Sequence, residues 1–419
     1  VTAEAGRGGG AAPEAADRPL AGVRVADLSR VLAGPYATML LADLGAEVVK
    51  VEHPQRGDDT RAWGPPSAGG EAAYFLAVNR GKRSLAVDVA DPDGRAAVRD
   101  LCWGADVVVQ NFRPGTADRL GLGPADVHAR NPGAVYCSIT GFGAGHTPPD
   151  RPGFDLVVQA ESGLMHATGA PDGPPTKVGV AMTDVLTGLN AAVAVLAALV
   201  RARATGRGEH VTVSLLDSAL SGLVNVAQSA LVTGAEPERF GNAHPTIVPY
   251  QAFPTADDEI VVAAGNDALY RRLCDVLGRP DLAADPRYAT NPERVAHRGA
   301  LVAEIGAVLR TRPAAEWVAA LLDAGVPVGR VRGVLDALRT ADAAGGATLV
   351  RVDHPAAGPL ETVGAGFRLA SGAGADAPPP APPPLLGQHT ERVLAELGVG
   401  ADRVAAMVAR GAAYQNPVA

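Results

Sequence analysis

Asp184 is the residue of this 419-residue chain whose type and setting carry the most chemistry. It stands in TDVLTG, at the start of an apolar helix expected over Met182–Ala204, with Leu186, Leu189, Ala192, Val193 and Leu196 at three- and four-residue spacings. A helix N-terminus carries about half a unit of positive charge, which favours a carboxylate there and is expected to hold its pKa low. An ionised carboxylate in a dry pocket is a nucleophile without an auxiliary base. Backbone N–H groups of glycine-rich segments are available as an oxyanion hole. Local sequence alone favours a second reading, in which an Asp beside Thr183 at a helix start is an N-cap. The two roles are compatible.

Other chemistries lack their motifs. The sequence contains no G-x-x-x-x-G-K-[ST], no H-E-x-x-H and no G-x-S-x-G. The glycine-rich stretch Gly6–Ala11 follows no strand, and the first strand-to-helix turn, Asp27–Pro35, lacks G-x-G-x-x-G. No metal site is expected. Three cysteines, Cys102, Cys137 and Cys274, form no C-x-x-C, which excludes a disulfide scaffold and points to a reducing compartment.

The elements that must position Asp184 are legible in the hydrophobic pattern. Short β-branched runs at Val23–Leu28, Glu47–Glu52, Ser84–Val89, Asp106–Phe112 and Val135–Thr140 alternate with helical patterns such as Tyr36–Leu44 and Asp93–Trp103. That alternation predicts βαβ units and a parallel sheet. A further strand is expected at His210–Leu215, and a smaller unit with one strand at Ile260–Ala264 and helices near Asp267–Leu277, Val295–Arg310 and Ala314–Ala324. The expected organisation is a disordered tail over 1–18, a large Rossmann-like α/β domain over 19–225, and a smaller α/β domain with connectors over 226–368. A proline-rich linker follows over 369–384. The segment 385–419 then returns to the large domain, with a last helix over Thr390–Leu397 capped around His389 and Thr390.

Composition bounds the partners. Lys and Arg total 37 against 45 Asp and Glu, a formal net charge of −8, which argues against non-specific nucleic-acid binding. With 47% hydrophobic and 20% charged residues, wholesale disorder is excluded. The apolar run Ala191–Val200 is far short of the roughly 20 residues that span a bilayer, and the first residues have no apolar signal core. No membrane association and a cytoplasmic location are expected.

An ordered series of motifs resembles the family III CoA-transferases, of which the α-methylacyl-CoA racemases are a divergent branch. The series is ADLSRVLAGP (26–35), LGAEVVKVE (44–52), GDDTR (57–61), NRGKRS (79–84), ADVVVQNFRPG (105–115), ITGFG (139–143), PGFDLVVQAESG (152–163), TDVLTG (183–188), GNAHPTIVPY (241–250), AGVPVG (324–329) and PLLGQHT (384–390). The resemblance implies transfer of CoA from an acyl-CoA thioester to a carboxylic acid through an aspartyl-CoA thioester, with Asp184 as nucleophile. CoA and acyl-CoA are then substrates, and no cofactor is held permanently. It also implies an interlaced homodimer, with the large domain built from both ends of the chain.

By the same resemblance, Arg30, Val31, His53, Lys82, Arg83, Asn111, Phe112 and Arg119 bind CoA, and Phe154, Trp63 and Tyr74 line the substrate pocket. The racemase branch carries a histidine at the position of Phe154. Phenylalanine cannot exchange a proton, and two-base racemisation needs two titratable groups, so transferase is favoured over racemase. His166 is a nearby histidine off the family position. A CoA-binding protein without turnover is a third reading. The GNAHPTIVPY segment points to a dicarboxylate or larger acceptor acid.

Overall fold

A seven-stranded sheet organises the larger part of the molecule, a computed structural model that describes residues 18–143, 145, 151–346, 348–369 and 380–417. Its order is Ala413–Tyr414, Lys82–Val87, Glu47–Glu52, Arg24–Asp27, Val107–Gln110, Val135–Thr140 and Glu209–Ser214. All pairings are parallel except that of Ala413–Tyr414 at the edge. Runs such as Val107–Val109 are buried throughout, as strands covered on both faces require. Because the strands run the same way, the turns after Asp27, Glu52, Gln110 and Thr140 gather at one sheet edge, where ligands of such folds bind.

The expected α/β class with a parallel sheet is present, with boundaries shifted by a residue or two at several strands. The tail over residues 1–17 and the linker residues 370–379 lie outside the described residues.

The chain divides into two units, one of residues 1–164, 178–227 and 341–419, the other of 165–177 and 228–340. The larger unit thus includes 341–368, which the hydrophobic pattern assigned to the smaller one. The reason is the hairpin Leu349–His354/Gly358–Val363: Arg80 donates to the Val363 carbonyl (2.7 Å) and pairs with Asp43. The smaller unit has a three-stranded antiparallel sheet, not a single strand, in the order Val328–Arg330, Glu259–Ala263, Tyr250–Pro254. Trp317, Tyr270, Phe253 and Leu273 fill its core.

The C-terminal segment continues past the expected last helix. Helices Thr390–Glu396 and Ala401–Ala409 lead to the edge strand Ala413–Tyr414. His389 and Thr390 do not cap with their side chains; His389 Nδ1 accepts from Ser84 N (3.2 Å) and Thr390 Oγ1 from Ala86 N (3.0 Å), which fastens this segment to the sheet.

The helix that carries Asp184 runs from Met182 to Thr205. At 24 residues it is long and apolar enough to cross a bilayer, contrary to the shorter run read from sequence. One side of it packs into the core through Ala191, Ala192, Val195, Ala198 and Leu199. Gly188 lets it approach the helix Ala33–Asp43: a Cβ there would lie 2.8 Å from the Ala33 carbonyl oxygen and 2.9 Å from the Tyr36 ring. Gly188→Ala is expected to cost about 1–3 kcal/mol of stability, measurable by denaturant unfolding.

Candidate active site

Asp184 lines a cleft of about 440 Å³ at the carboxyl ends of the central strands. The turn Arg30–Ala33 forms one wall. Asn111–Pro114, after the strand Val107–Gln110, forms a second, and Thr140–Gly143 with Arg151–Phe154 a third. Gly141 and Gly153 bring the two segments of that third wall into backbone contact. A Cβ on Gly141 would lie 2.5 Å from the Gly153 Cα, so only glycine fits.

Asp184 is the third residue of its helix and not the cap. Ala181 holds the N-cap position and makes no side-chain cap. Asp155, in the first turn of the helix Asp155–Glu161, supplies the missing acceptor: its Oδ1 takes hydrogen bonds from Thr183 N (2.9 Å) and Thr183 Oγ1 (2.8 Å). Gln159 Nε2 donates to the other Asp155 oxygen (2.7 Å), and Gln159 Oε1 accepts from Val178 N (2.8 Å). The Asp184 carboxylate itself makes no hydrogen bond among the described residues.

This setting overturns the low pKa expected from the helix end. Burial, and then the neighbouring charge of Asp155, push the Asp184 carboxyl up to about 7. Desolvation and a like charge outweigh the helix dipole, and Thr183 N, an N–H of the first turn, is already taken by Asp155. At pH 7 about half of the molecules carry Asp184 ionised. The folded pKa lies above the unfolded value, so ionising Asp184 opposes folding: the cost is absent below about pH 4, grows from there to pH 7 and is complete above it. Asp184→Asn is therefore expected to raise Tm by about 2–4 °C at pH 8 and by less at pH 5, in calorimetric scans.

Phe154 is 58% exposed and forms cleft wall, so it is not a core aromatic. Trp63 lines the same cleft, and Tyr74 meets its ring edge-to-face at 5.1 Å. Burial and the charges of Asp184, Asp155 and Asp58 push the Tyr74 hydroxyl up to about 12, so it stays protonated.

The residues expected to bind CoA separate into groups. Arg30, Val31, Asn111 and Phe112 line the cleft. His53 lines an adjoining hollow of about 190 Å³ with Arg30, Arg56 and Phe112. Lys82 is not available to a phosphate: its ammonium is fully buried and bonded to Asp27 (3.0 Å), the Pro35 carbonyl and Asn79. Arg83, its neighbour along the strand, is turned away from the cleft and pairs with Glu47 and Glu396. Arg119 donates to Thr116 Oγ1 (2.9 Å) and lines neither hollow. His166 belongs to the smaller unit, where its carbonyl accepts from Arg239 (3.2 Å).

Sequence reasoning missed Asp155, although it adjoins Phe154 and opens an apolar run that reads as a helix. It also missed two cleft arginines. Arg151 pairs with Glu161 and lies 4.1 Å from the centre of the Phe142 ring; Arg113 is exposed and has no ion pair among the described residues.

The cleft therefore offers a carboxyl poised near neutrality, aromatic walls and guanidinium groups, a set suited to acyl transfer from a phosphorylated carrier. Comparison with known proteins agrees with that chemistry. The family model "CoA-transferase family III" matches residues 20–390. A succinyl-CoA:glutarate CoA-transferase of Mus musculus is 43% identical over 380 residues, covering 91% of this chain and 86% of that protein. A succinate–glutarate CoA-transferase of Agrobacterium fabrum is 50% identical over 286 residues, 67% of this chain and 72% of its own. The crystal structure of a CaiB/BaiF family protein from Brucella suis superposes with a TM-score of 0.79 at 40% identity, covering 90% of this chain and 99% of that one. With the motif series, the cleft and the family match in agreement along nearly the whole length, this chain belongs to the family III CoA-transferases.

Proposed function

We propose that this acyl-CoA:carboxylate CoA-transferase works through Asp184, and that a dicarboxylic acid of the glutarate or succinate class is its acceptor. The observation that carries the reading is the Asp184 carboxyl, free of hydrogen bonds among the described residues, in a cleft with aromatic and guanidinium walls. Ionised Asp184 attacks the thioester carbonyl and CoA thiolate leaves, giving a mixed anhydride. The thiolate then attacks the Asp184 acyl carbon and expels the donor carboxylate, leaving an aspartyl-CoA thioester. The acceptor carboxylate repeats the two steps in reverse, so that no proton is gained or lost overall.

CoA phosphates are met by guanidinium groups at the sheet edge, with Arg113, which has no ion pair among the described residues, in the cleft, and Arg30 and Arg56 beside the His53 hollow. Phe112 lies between the two hollows and covers the carrier. The acceptor class rests on the relatives named for succinate and glutarate. Racemisation is disfavoured: among the described cleft-lining residues there is no histidine, lysine or cysteine to act as second base, and the second carboxylate of the lining, Asp59, is paired with Arg30 (3.2 Å).

The enzyme is an interlaced homodimer in this reading, with the larger unit as a Rossmann-like domain closed by the returning C-terminal segment. Exposed Val193 and Val200 on the Met182–Thr205 helix, and Leu231 and Val232 on Val224–Thr233, support a partner copy that covers them. The three unpaired, buried cysteines fit a cytoplasmic setting. Mass-spectrometric screening of CoA exchange between succinyl-CoA and a panel of acids tests the activity. Dicarboxylates are expected to give the highest kcat/KM; exchange confined to monocarboxylates overturns the acceptor class.

A further inference from the structure

The turn Ser29–Val31 in the cleft wall is held in an unfavourable shape by the side chains of Asp27, Lys50, Asp58 and Asn111. Val31 has φ +70°, a left-handed conformation that a β-branched residue rarely adopts. Its N–H is shared between the two carboxylate oxygens of Asp58, each at 3.3 Å. The neighbouring peptide groups are equally occupied. Asn111 Oδ1 accepts from Arg30 N (2.9 Å) and Asn111 Nδ2 donates to Arg30 O (2.8 Å). Lys50 Nζ donates to Ser29 O (2.9 Å), and Asp27 accepts from Ser29 N (3.0 Å) and from its hydroxyl.

Behind the turn the charges are paired and dry. Lys50 and Asp58 form an ion pair at 2.8 Å, with both side chains fully buried. Lys82 and Asp27 form a second, and Asp58 N donates to Glu52 Oε2 (3.0 Å), itself bound by Arg61. Buried ion pairs are poor sources of net stability, because desolvation offsets most of their attraction; their best-attested use is to specify one arrangement. Here the arrangement they specify is a strained peptide facing the site where the thioester must sit.

We propose that Asp58 is a positioning residue for acyl-CoA: fixed by Lys50, it clamps Val31 in its left-handed conformation and so presets the cleft wall that receives the carrier. The inference rests on the CoA-transferase reading. It also gives Asn111 and Lys82 a different task from the one the family resemblance implied. Asn111 spends its amide on the Arg30 peptide, and Lys82 anchors Asp27, so both hold the turn.

The strain supplies the test, because glycine adopts φ +70° without steric cost. Asp58→Asn removes the charge that fixes the turn and is expected to weaken CoA binding about tenfold by calorimetry, and to raise KM for succinyl-CoA with a smaller change in kcat. Adding Val31→Gly to Asp58→Asn is expected to recover most of the affinity, since the turn then needs no clamp. Asn111→Ala loosens the same turn at a half-exposed position without stranding a buried charge. It is expected to show the same loss and the same recovery with Val31→Gly, and it decides the matter if Asp58→Asn does not fold. CoA affinity within twofold of wild type in folded Asp58→Asn, or a loss that Val31→Gly leaves unchanged in both backgrounds, overturns the clamp. A wild-type protein that binds no CoA overturns the CoA-transferase reading instead.

Discussion

Asp184→Ala is expected to lower CoA transfer by about 10⁴-fold or more, with CoA affinity changed by less than about threefold. In the proposed cycle every covalent step uses the Asp184 carboxylate, so no other residue of the cleft would share its task in part. The substitution removes a carboxyl and leaves the capping of the helix intact, because Asp155 and not Asp184 accepts from Thr183. The protein should therefore stay folded, which circular dichroism and calorimetric CoA binding check independently of turnover. Transfer at or near the wild-type rate by a folded Asp184→Ala protein removes the mechanism altogether.

The second large effect is on pH. A nucleophile with a pKa of about 7 is mostly protonated at pH 5.5, so kcat/KM for acyl-CoA is expected to fall about tenfold per unit below neutrality and to level off above about pH 8. Asp155→Asn tests the cause. Asparagine keeps an oxygen for Thr183 and loses only the Gln159 hydrogen bond, while it removes the like charge, so the pKa of Asp184 falls and the acid limb moves to lower pH. At pH 5.5 the variant is expected to exceed wild type about threefold or more, while at pH 8.5 the two converge. A purely structural role for Asp155 would lower the rate equally at every pH.

Those two carboxylates mark where the sequence was readable and where it was not. The valine-rich strands and the helices between them announce a parallel sheet, because β-branched runs and helical spacings are local properties. The Met182–Thr205 helix is equally plain, and the motif series singles out its Asp184. The pKa of Asp184 is not local. It is set first by the burial of Asp184 in the folded chain and then by the charge of Asp155, 29 residues earlier. The charged residues of NRGKRS failed for a related reason. Lys82 and Arg83 are consecutive in the strand Lys82–Val87, so their side chains leave opposite faces of the sheet and cannot serve one ligand. Reading that strand as beginning at Ser84 placed both in a loop and hid the alternation. Asn111 lines the cleft, but sequence gives no sign that the Arg30 peptide consumes its amide. The edge strand Ala413–Tyr414 is two residues long, too short to carry a period of its own.

The most direct test of the account is covalent. Protein mixed with succinyl-CoA and no acceptor, then quenched with hydroxylamine and digested, is expected to yield a hydroxamate on Asp184 and on no other acidic residue. The same treatment after incubation with free CoA alone should give none. A hydroxamate on a different carboxylate, or none from a protein that transfers CoA once an acceptor acid is added, contradicts catalysis through Asp184.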